Sequence, residues 1–214
     1  MCLFVASVSE SNLVALLSHC RRGDELLVGD CYHVHRYEAG GVSVLGGVMM
    51  EAIGTDHRGL ITPSQIIKAV KPDDPHCPIS RLLCLENTIS GHVHDVGVVG
   101  GLAKAGKDSG LGVHLDGARL MNAAVKLGVP AKQIVDPVDS VSLCLSKGLG
   151  TPAGSVLVGS HEFIARARRI RKLVGGGMRQ VGILAAAGIY ALDHHIERLA
   201  EDHANALRLA DQLG

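Results

Sequence analysis

The sequence predicts an α/β fold: a mainly parallel sheet with one antiparallel strand and helices on both faces. Two observations carry this. Apolar runs of strand length alternate with helical runs along most of the chain, and near-continuous apolar strands between helices are what a parallel sheet covered on both faces requires. The last two strand-like runs, "VSLCLS" and "SVLVGS", are separated only by "KGLGTPAG". A parallel crossover needs a dozen residues or more, so that pair must be antiparallel.

In order along the chain, "CLFVAS" reads as the first strand and Asn12 to Arg22 as the helix after it. "ELLVGD" and a helix from His33 to Leu45 follow, then "GVMMEAI" and Pro63 to Val70. "RLLCLENT" precedes a helix over Val96 to Ala105, and "GVHLDGA" precedes Arg119 to Leu127. The segment "KPDDPHCP" is polar and punctuated by proline, which makes it a loop. After the antiparallel pair come a basic helix from Phe163 to Val174, the breaker "GGG", and one long helix from about Arg179 to Leu213. Leu192, Ile196, Leu199, His203, Leu207 and Leu213 recur at the helical period and give that helix one apolar stripe. A stripe with nothing after it to cover it predicts a partner subunit or a missing C-terminal domain. Strand character from residue 2 onward, where domains usually start loosely, predicts a missing front segment.

The chain has 214 residues, enough for one α/β domain with a full core. Lys plus Arg equals Asp plus Glu at 21 each, so no net field draws it to nucleic acid or to an acidic membrane. Three Tyr, two Phe and no Trp leave few platforms for stacking bases. The expected partner is a small molecule, and the basic run "RARRIRK", Arg166 to Lys172, is read as a solvated helix face. Six cysteines lack C-x-x-C spacing and several sit in apolar strand-like runs, which predicts buried free thiols in a reducing compartment. The opening "MCLFVASVSESN" has no basic n-region, and no apolar run nears the ~20 residues of a membrane span. Together these features predict a cytoplasmic protein.

Ligands of open α/β sheets sit outside the carboxyl ends of the strands. Asp116 ends "GVHLD" and Lys147 follows "SLCLS"; their separation of 31 positions matches one strand-helix-strand unit. An acid and an amine therefore emerge side by side from neighbouring strands. A lysine desolvated by apolar walls has its charged form disfavoured, which frees the amine to attack a carbonyl. Gly148, Gly150, Ala153 and Gly154 are read as leaving room for the aldehyde it would bind. Pyridoxal phosphate needs a Schiff-base lysine and a carboxylate at its pyridinium nitrogen, and Lys147 and Asp116 suit those two roles. On spacing alone, a strand-end lysine reaching solvent fits as well.

Glu86 and Asn87 end "RLLCLEN" on the same edge and are expected to line the site. The pairs His33/His35 and His92/His94 would share a strand face, but no third ligand with sensible spacing accompanies either, so no metal site is expected. His194 and His195 are read as facing solvent or a partner.

Three blocks, "HLDGARLMNAAVKLGVP", "SLCLSKGLGTPAGSVLVG" and "KLVGGGMRQVGILAAAGI", resemble the threonine aldolases, pyridoxal-phosphate enzymes with the fold of aspartate aminotransferase. The similarity runs through essentially the whole chain. It implies a cofactor-binding large domain over 1–177 and a long connecting helix over 178–214 leading to an absent small domain. It implies that Lys147 carries the cofactor, that Asp116 holds the ring nitrogen, and that His33 in "DCYHVHRYEAGG" lies on the ring. Ser7 and Ser9 would serve the phosphate, and Arg119, with its rigid donor fork, the substrate carboxylate. Lys172 at the substrate and Arg179 at the cofactor would reach across a subunit boundary of a homodimer or homotetramer. The implied reaction is retro-aldol cleavage of threonine or allo-threonine to glycine and acetaldehyde.

The chain departs from the family pattern at three places. Where the phosphate loop would read Ser-Gly-Thr-x-Gly-Asn, it reads "SVSESN"; Val8 replaces a glycine, and Glu10 brings a negative charge towards a dianion. Ile89 stands where the family has a histidine placed to handle the β-hydroxyl proton, with His92 and His94 as the nearby substitutes. The front segment and the small domain, with its carboxylate-binding arginine, are absent. The alternatives are a truncated or degenerate relative that keeps fold and subunit contacts without catalysis, and a related pyridoxal-phosphate enzyme with a different reaction, such as racemisation.

Overall fold

The computed structural model describes residues 1–214. Its elements run β1 (Cys2–Val5), α1 (Val8–His19), β2 (Asp24–Gly29), α2 (His33–Arg36), α3 (Gly41–Gly46), β3 (Met49–Ile53), α4 (Pro63–Ala69), β4 (Ile79–Glu86) and α5 (Val96–Asp108). They continue with β5 (Gly112–Asp116), α6 (Leu120–Leu127), α7 (Ala131–Val135), β6 (Ser140–Cys144), β7 (Ser155–Gly159), α8 (His161–Leu173), α9 (Gly182–His194) and α10 (Leu199–Leu213). All seven strands join one sheet in the order β1-β7-β6-β5-β4-β2-β3. Strand β7 runs antiparallel to both of its neighbours, and every other pairing is parallel. The short connection after Lys147 enforces that reversal, as expected.

Alternate residues of the central strands bury against opposite layers. Leu26 and Val28 of β2, with Leu82 and Cys84 of β4, pack into the layer that contains Leu16 of α1. Leu27, Leu83 and Leu85 pack with Val99, Leu102 and Leu120 on the other side. This period of two is why the strands read as continuous apolar runs: both faces are covered. Helix α5 lies tight on β4, since a Cβ at Gly106 would fall 2.9 Å from Leu83 Cδ2.

Helix starts follow the capping chemistry of the sequence. Ser7, Asp95 and Ser160 each accept an N–H from the first turn of α1, α5 and α8, and Thr62 with Gln65 forms a full capping box at α4.

Three local expectations are corrected. The helix read over His33 to Leu45 is two short helices, because Ala39 and Gly40 take positive φ values of 53° and 66°. The long helix read over Arg179 to Leu213 breaks between α9 and α10, where His195 Nδ1 donates to the Leu149 carbonyl at 2.7 Å. That bond also replaces the reading of His195 as facing solvent or a partner. The apolar stripe divides there: Leu199 is buried and Leu192 and Ile196 pack on the core, whereas Leu207 and Leu213 are exposed. Helix α7 is a short element that the sequence pattern does not announce.

All six cysteines are free thiols, with Cys20, Cys84 and Cys144 buried. No helix is long and apolar enough to cross a membrane. Helix α8 carries its basic run mostly outward, but Arg171 turns in and donates to the Phe4 carbonyl at 2.7 Å.

Candidate active site

Three adjacent strands deliver their ends to one edge in register, Glu86 pairing with Asp116 and Asp116 with Ser142. The backbone continues this past the strands: Asn87 N–H donates to Asp116 C=O and Gly117 N–H to Ser142 C=O. Lys147 stands in the turn after β6, closed by Gly150 N–H donating to the Lys147 carbonyl. Its charge acts on Asp116, Glu86, Glu38 and His33 from the same edge of the sheet. Lys147 is half-buried rather than sealed behind apolar walls.

Asp116 is 2% exposed. Its Oδ2 accepts from Asn12 Nδ2 at 2.7 Å and its Oδ1 from the Ala118 N–H at 3.0 Å. Burial pushes its pKa above the ordinary carboxylate range, and those two donors together with His33 and Lys147 oppose the shift. Asn12 also donates to Glu38 Oε1 at 2.8 Å, and the same oxygen lies 3.0 Å from His33 Nδ1. The His33 backbone N–H donates to Glu86 Oε2 at 2.6 Å. Glu38 and Glu86 are both pushed up to about 8, chiefly by burial. His33 is pushed down by burial, with Lys147 and Arg119 adding to the effect and Asp116 opposing it. The ligand atoms of His33, Glu38 and Asp116 lie within 4.8 Å of one another, and the Asn12 amide bonds both carboxyl groups, so the trio is a hydrogen-bonded cluster.

Other predicted residues are placed less centrally. Arg119 is exposed at the start of α6, yet its charge reaches His33. Ser7 is exposed and Ser9 half-buried at the N-terminus of α1, with Ser7 Oγ accepting the Glu10 N–H at 3.1 Å. Lys172 and Arg179 are exposed and make no ion pair within this chain. A cavity of about 260 Å³ adjoins the cluster, with Ser9, Glu10, Glu38, Val34 and Val174 on its wall; Lys147 and Asp116 are not among its lining residues.

The small residues after Lys147 have a different job from the one expected. A Cβ at Gly154 would collide with the Phe4 ring, and one at Gly148 would lie 2.9 Å from both Asn122 Oδ1 and Leu199 Cδ2. Gly150 and Gly154 also take positive φ values of 72° and 107°. Gly148 and Gly154 thus allow close packing by the chain itself, and Gly150 and Gly154 the tight return into β7.

Ile89 is buried beneath Gly59, where any Cβ would collide with Ile89 Cγ2. His92 is exposed, and His94 is turned towards Arg58 and Asp56, so neither takes the place of a histidine at 89. His33 and His35 lie on α2 and His92 and His94 in a bridged turn, so neither pair shares a strand face. Asn87 holds the backbone of His94 by two hydrogen bonds, a clamp on its own loop, and only Glu86 of that pair joins the cluster.

Sequence reasoning passes over Asn12 and Glu38. A signal existed for Asn12: with Ser11 and Ser18 it places polar groups on the face of α1 that also buries Val8, Ala15 and Leu16. Polar residues on a buried stripe need partners. Glu38 carries no such mark.

Comparison with known proteins gives the chain its family. A low-specificity L-threonine aldolase of Escherichia coli strain K12 is 47% identical over 211 residues, covering 99% of this chain and 63% of that protein. Low-specificity L-threonine aldolase 1 of Arabidopsis thaliana is 43% identical over 219 residues, covering 99% of this chain and 61% of that protein. The chain therefore spans less than two thirds of the length of these curated relatives. Among solved structures, a threonine aldolase of Leishmania major superposes with a TM-score of 0.88 at 21% identity, over 100% of this chain and 64% of that one. N-succinyldiaminopimelate aminotransferase of Mycobacterium tuberculosis superposes with a TM-score of 0.75 at 17% identity, over 99% of this chain and 56% of that one. The fold is the one these aminotransferases and aldolases share. A model of the family described as beta-eliminating lyase matches residues 1–214, and the chain belongs to that family.

Proposed function

We propose that this chain binds pyridoxal 5'-phosphate and cleaves a β-hydroxy-α-amino acid of the threonine type to glycine and an aldehyde. The observation that supports the reading is that neighbouring strands β5 and β6 bring Asp116 and Lys147 to the same carboxyl edge of the sheet, where the lysine's charge acts on the buried carboxyl group. The names of the relatives point the same way.

The donor set suits the cofactor. Asp116 is a buried carboxyl whose ionised form needs a cation, and a protonated ring nitrogen supplies one. Lys147 offers the amine that would hold the cofactor aldehyde, and His33 an imidazole for its face. The N-terminus of α1, a 12-residue helix, offers its dipole and the hydroxyls of Ser7 and Ser9 to a phosphate. Bound there, pyridoxal phosphate supplies the electron-withdrawing ring that takes up the pair released when the Cα–Cβ bond breaks.

In this reading Asp116 keeps a proton on the ring nitrogen, and Arg119 holds the substrate carboxylate. Glu86 and Glu38, both near neutrality in pKa, are the groups of the cluster able to hold or release a proton. Lys172 and Arg179 act from a second copy in a homodimer or homotetramer. Residues 1–177 form the cofactor-binding large domain, and 178–214 the helical connection beyond it.

Purified protein with added cofactor is expected to be yellow, and Lys147→Ala to lose that absorbance. Protein that takes up no cofactor overturns the reading. The burial of Ile89 favours a second one, a relative that retains fold and cofactor without catalysing cleavage. Glycine and acetaldehyde formed from threonine faster than free cofactor forms them would refute it.

A further inference from the structure

Asn12 is fully buried in α1, and both its amide hydrogens and its side-chain oxygen have partners. One amide hydrogen goes to Asp116 Oδ2 at 2.7 Å and the other to Glu38 Oε1 at 2.8 Å. Its Oδ1 lies 3.3 Å from His114 Nε2, which also lies 3.4 Å from the Ser142 hydroxyl. His114 Nδ1 lies 2.8 Å from Ser140 Oγ, which lies 2.7 Å from His19 Nε2.

With Glu38 and Asp116 ionised, both carboxyl groups only accept, and one set of donors and acceptors follows along the chain. The two carboxyl groups require hydrogen from Asn12, so its oxygen must face His114 and accept. His114 then carries its proton on Nε2, accepts at Nδ1 from the Ser140 hydroxyl, and leaves Ser140 Oγ to accept from His19 Nε2–H. A flipped amide would set Oδ1 against two carboxyl groups and its NH2 against the His114 N–H. Burial pushes His114 down to about 3 and His19 down to about 4, so both rings are neutral with one N–H each at physiological pH, as the arrangement needs. On the other side, above the Glu38 midpoint of about 8 its carboxylate only accepts, so Oε1 takes hydrogen from both Asn12 and His33 Nδ1–H at 3.0 Å, which leaves the lone pair of His33 on Nε2.

We infer that Asn12 is a positioning residue that locks Asp116 and, through Glu38, His33 into one unit, with His114 of β5 fixing the direction of the amide. It does not touch His33, yet it determines which nitrogen of that ring carries the proton. The inference rests on the proposed cofactor role of Asp116 and His33 for its purpose, but its geometry is independent of it.

The test uses the full chain carrying Asn12→Ala, Glu38→Ala or Glu38→Gln, with circular dichroism to show folding. Nitrogen-15 histidine NMR on protein without cofactor, at a pH above the Glu38 midpoint of about 8, reads the tautomer of His33. Absorbance titration with pyridoxal phosphate then reads affinity and the pH midpoint of the bound cofactor. The parent is expected to hold His33 as the Nδ1–H form. Asn12→Ala and Glu38→Ala should shift it towards Nε2–H, loosen cofactor binding about tenfold and move the pH midpoint, while Glu38→Gln, which keeps Oε1 as acceptor, restores the tautomer. A folded Asn12→Ala protein with the parental His33 tautomer overturns the inference. If Asn12→Ala does not fold, Glu38→Ala decides: a parental tautomer there overturns it equally, and a shift rescued by Glu38→Gln supports it. A parent that binds no pyridoxal phosphate overturns the proposed function alone, since the NMR arm needs no cofactor.

Discussion

Glu86 Oε2 accepts the backbone N–H of His33 at 2.6 Å, joining the end of β4 to the start of α2. The bond places a carboxyl group in a buried setting that raises its pKa to about 8, with Asp116 adding to the burial effect and the His33 N–H and Lys147 opposing it. Glu38 is raised to about 8 as well, first by burial.

Raised carboxyl pKa values have a definite sign for stability. Between the unfolded value near 4.5 and the folded value near 8, the native state binds the extra protons, so stability falls as pH rises across that window. His19 and His114, lowered to about 4 and about 3, act oppositely between their folded values and 6.5. The two effects offset each other up to pH 6.5, and above it only the carboxyl groups remain. The melting temperature of protein without cofactor should therefore decline from pH 6.5 to 8, and Glu86→Gln should flatten the decline. A decline equally steep in the variant would show that Glu86 is ionised throughout.

Glu10 supplies the second prediction. Its Oε2 accepts the Ala6 N–H at 2.7 Å and its Oε1 is buried without a partner, so a carboxylate stands at the N-terminus of α1 where a phosphate would bind. Glu10→Gln keeps the acceptor and removes the charge. It should cost the helix terminus about 0.3–1 kcal/mol, yet tighten pyridoxal phosphate roughly two- to fivefold for the same energy, leaving pyridoxal unchanged. Calorimetric titration with both compounds checks this, and equal effects on both would remove the phosphate from the explanation.

Ile89 packs so closely on Gly59 that its replacement is a stability test. Ile89→His puts a polar ring into an apolar layer and should destabilise by about 1–3 kcal/mol, read by urea unfolding. Unchanged stability would mean that the ring finds solvent or a partner beside Gly59.

Two glycines should respond with opposite signs. Gly154→Ala meets the Phe4 ring at a positive φ of 107° and should cost more than about 1 kcal/mol. Gly100 lies within α5, and a methyl group added there would have nothing within 4 Å, so Gly100→Ala should gain about 0.4–1 kcal/mol. Denaturation of both variants checks the pair.

What was legible in the sequence was what short-range pattern controls. Apolar runs bounded by turn residues fixed the strands, and the brief connection between "VSLCLS" and "SVLVGS" dictated the reversal at β7. Strand polarity then put Asp116, Lys147 and Glu86 on one edge, because in a parallel sheet successive strand ends of this kind must share an edge. The breaks at Ala39 and His195 were not legible, since each depends on a backbone conformation or a bond to a distant residue.

Tertiary structure alone decided the inner workings of the site. Asn12 and Asp116 are 104 positions apart, and Glu38 reaches both the amide and His33 only after α1, α2 and β5 have packed together. Hydrogen bonds act over about 3 Å, whereas sequence pattern reports only which face of an element is buried. The sequence by itself therefore determined which elements form and which edge bears the chemistry. The partner of each polar group, the reason for each glycine and the protonation of each buried side chain were settled by packing, because desolvation and hydrogen bonding exist only once distant segments have met.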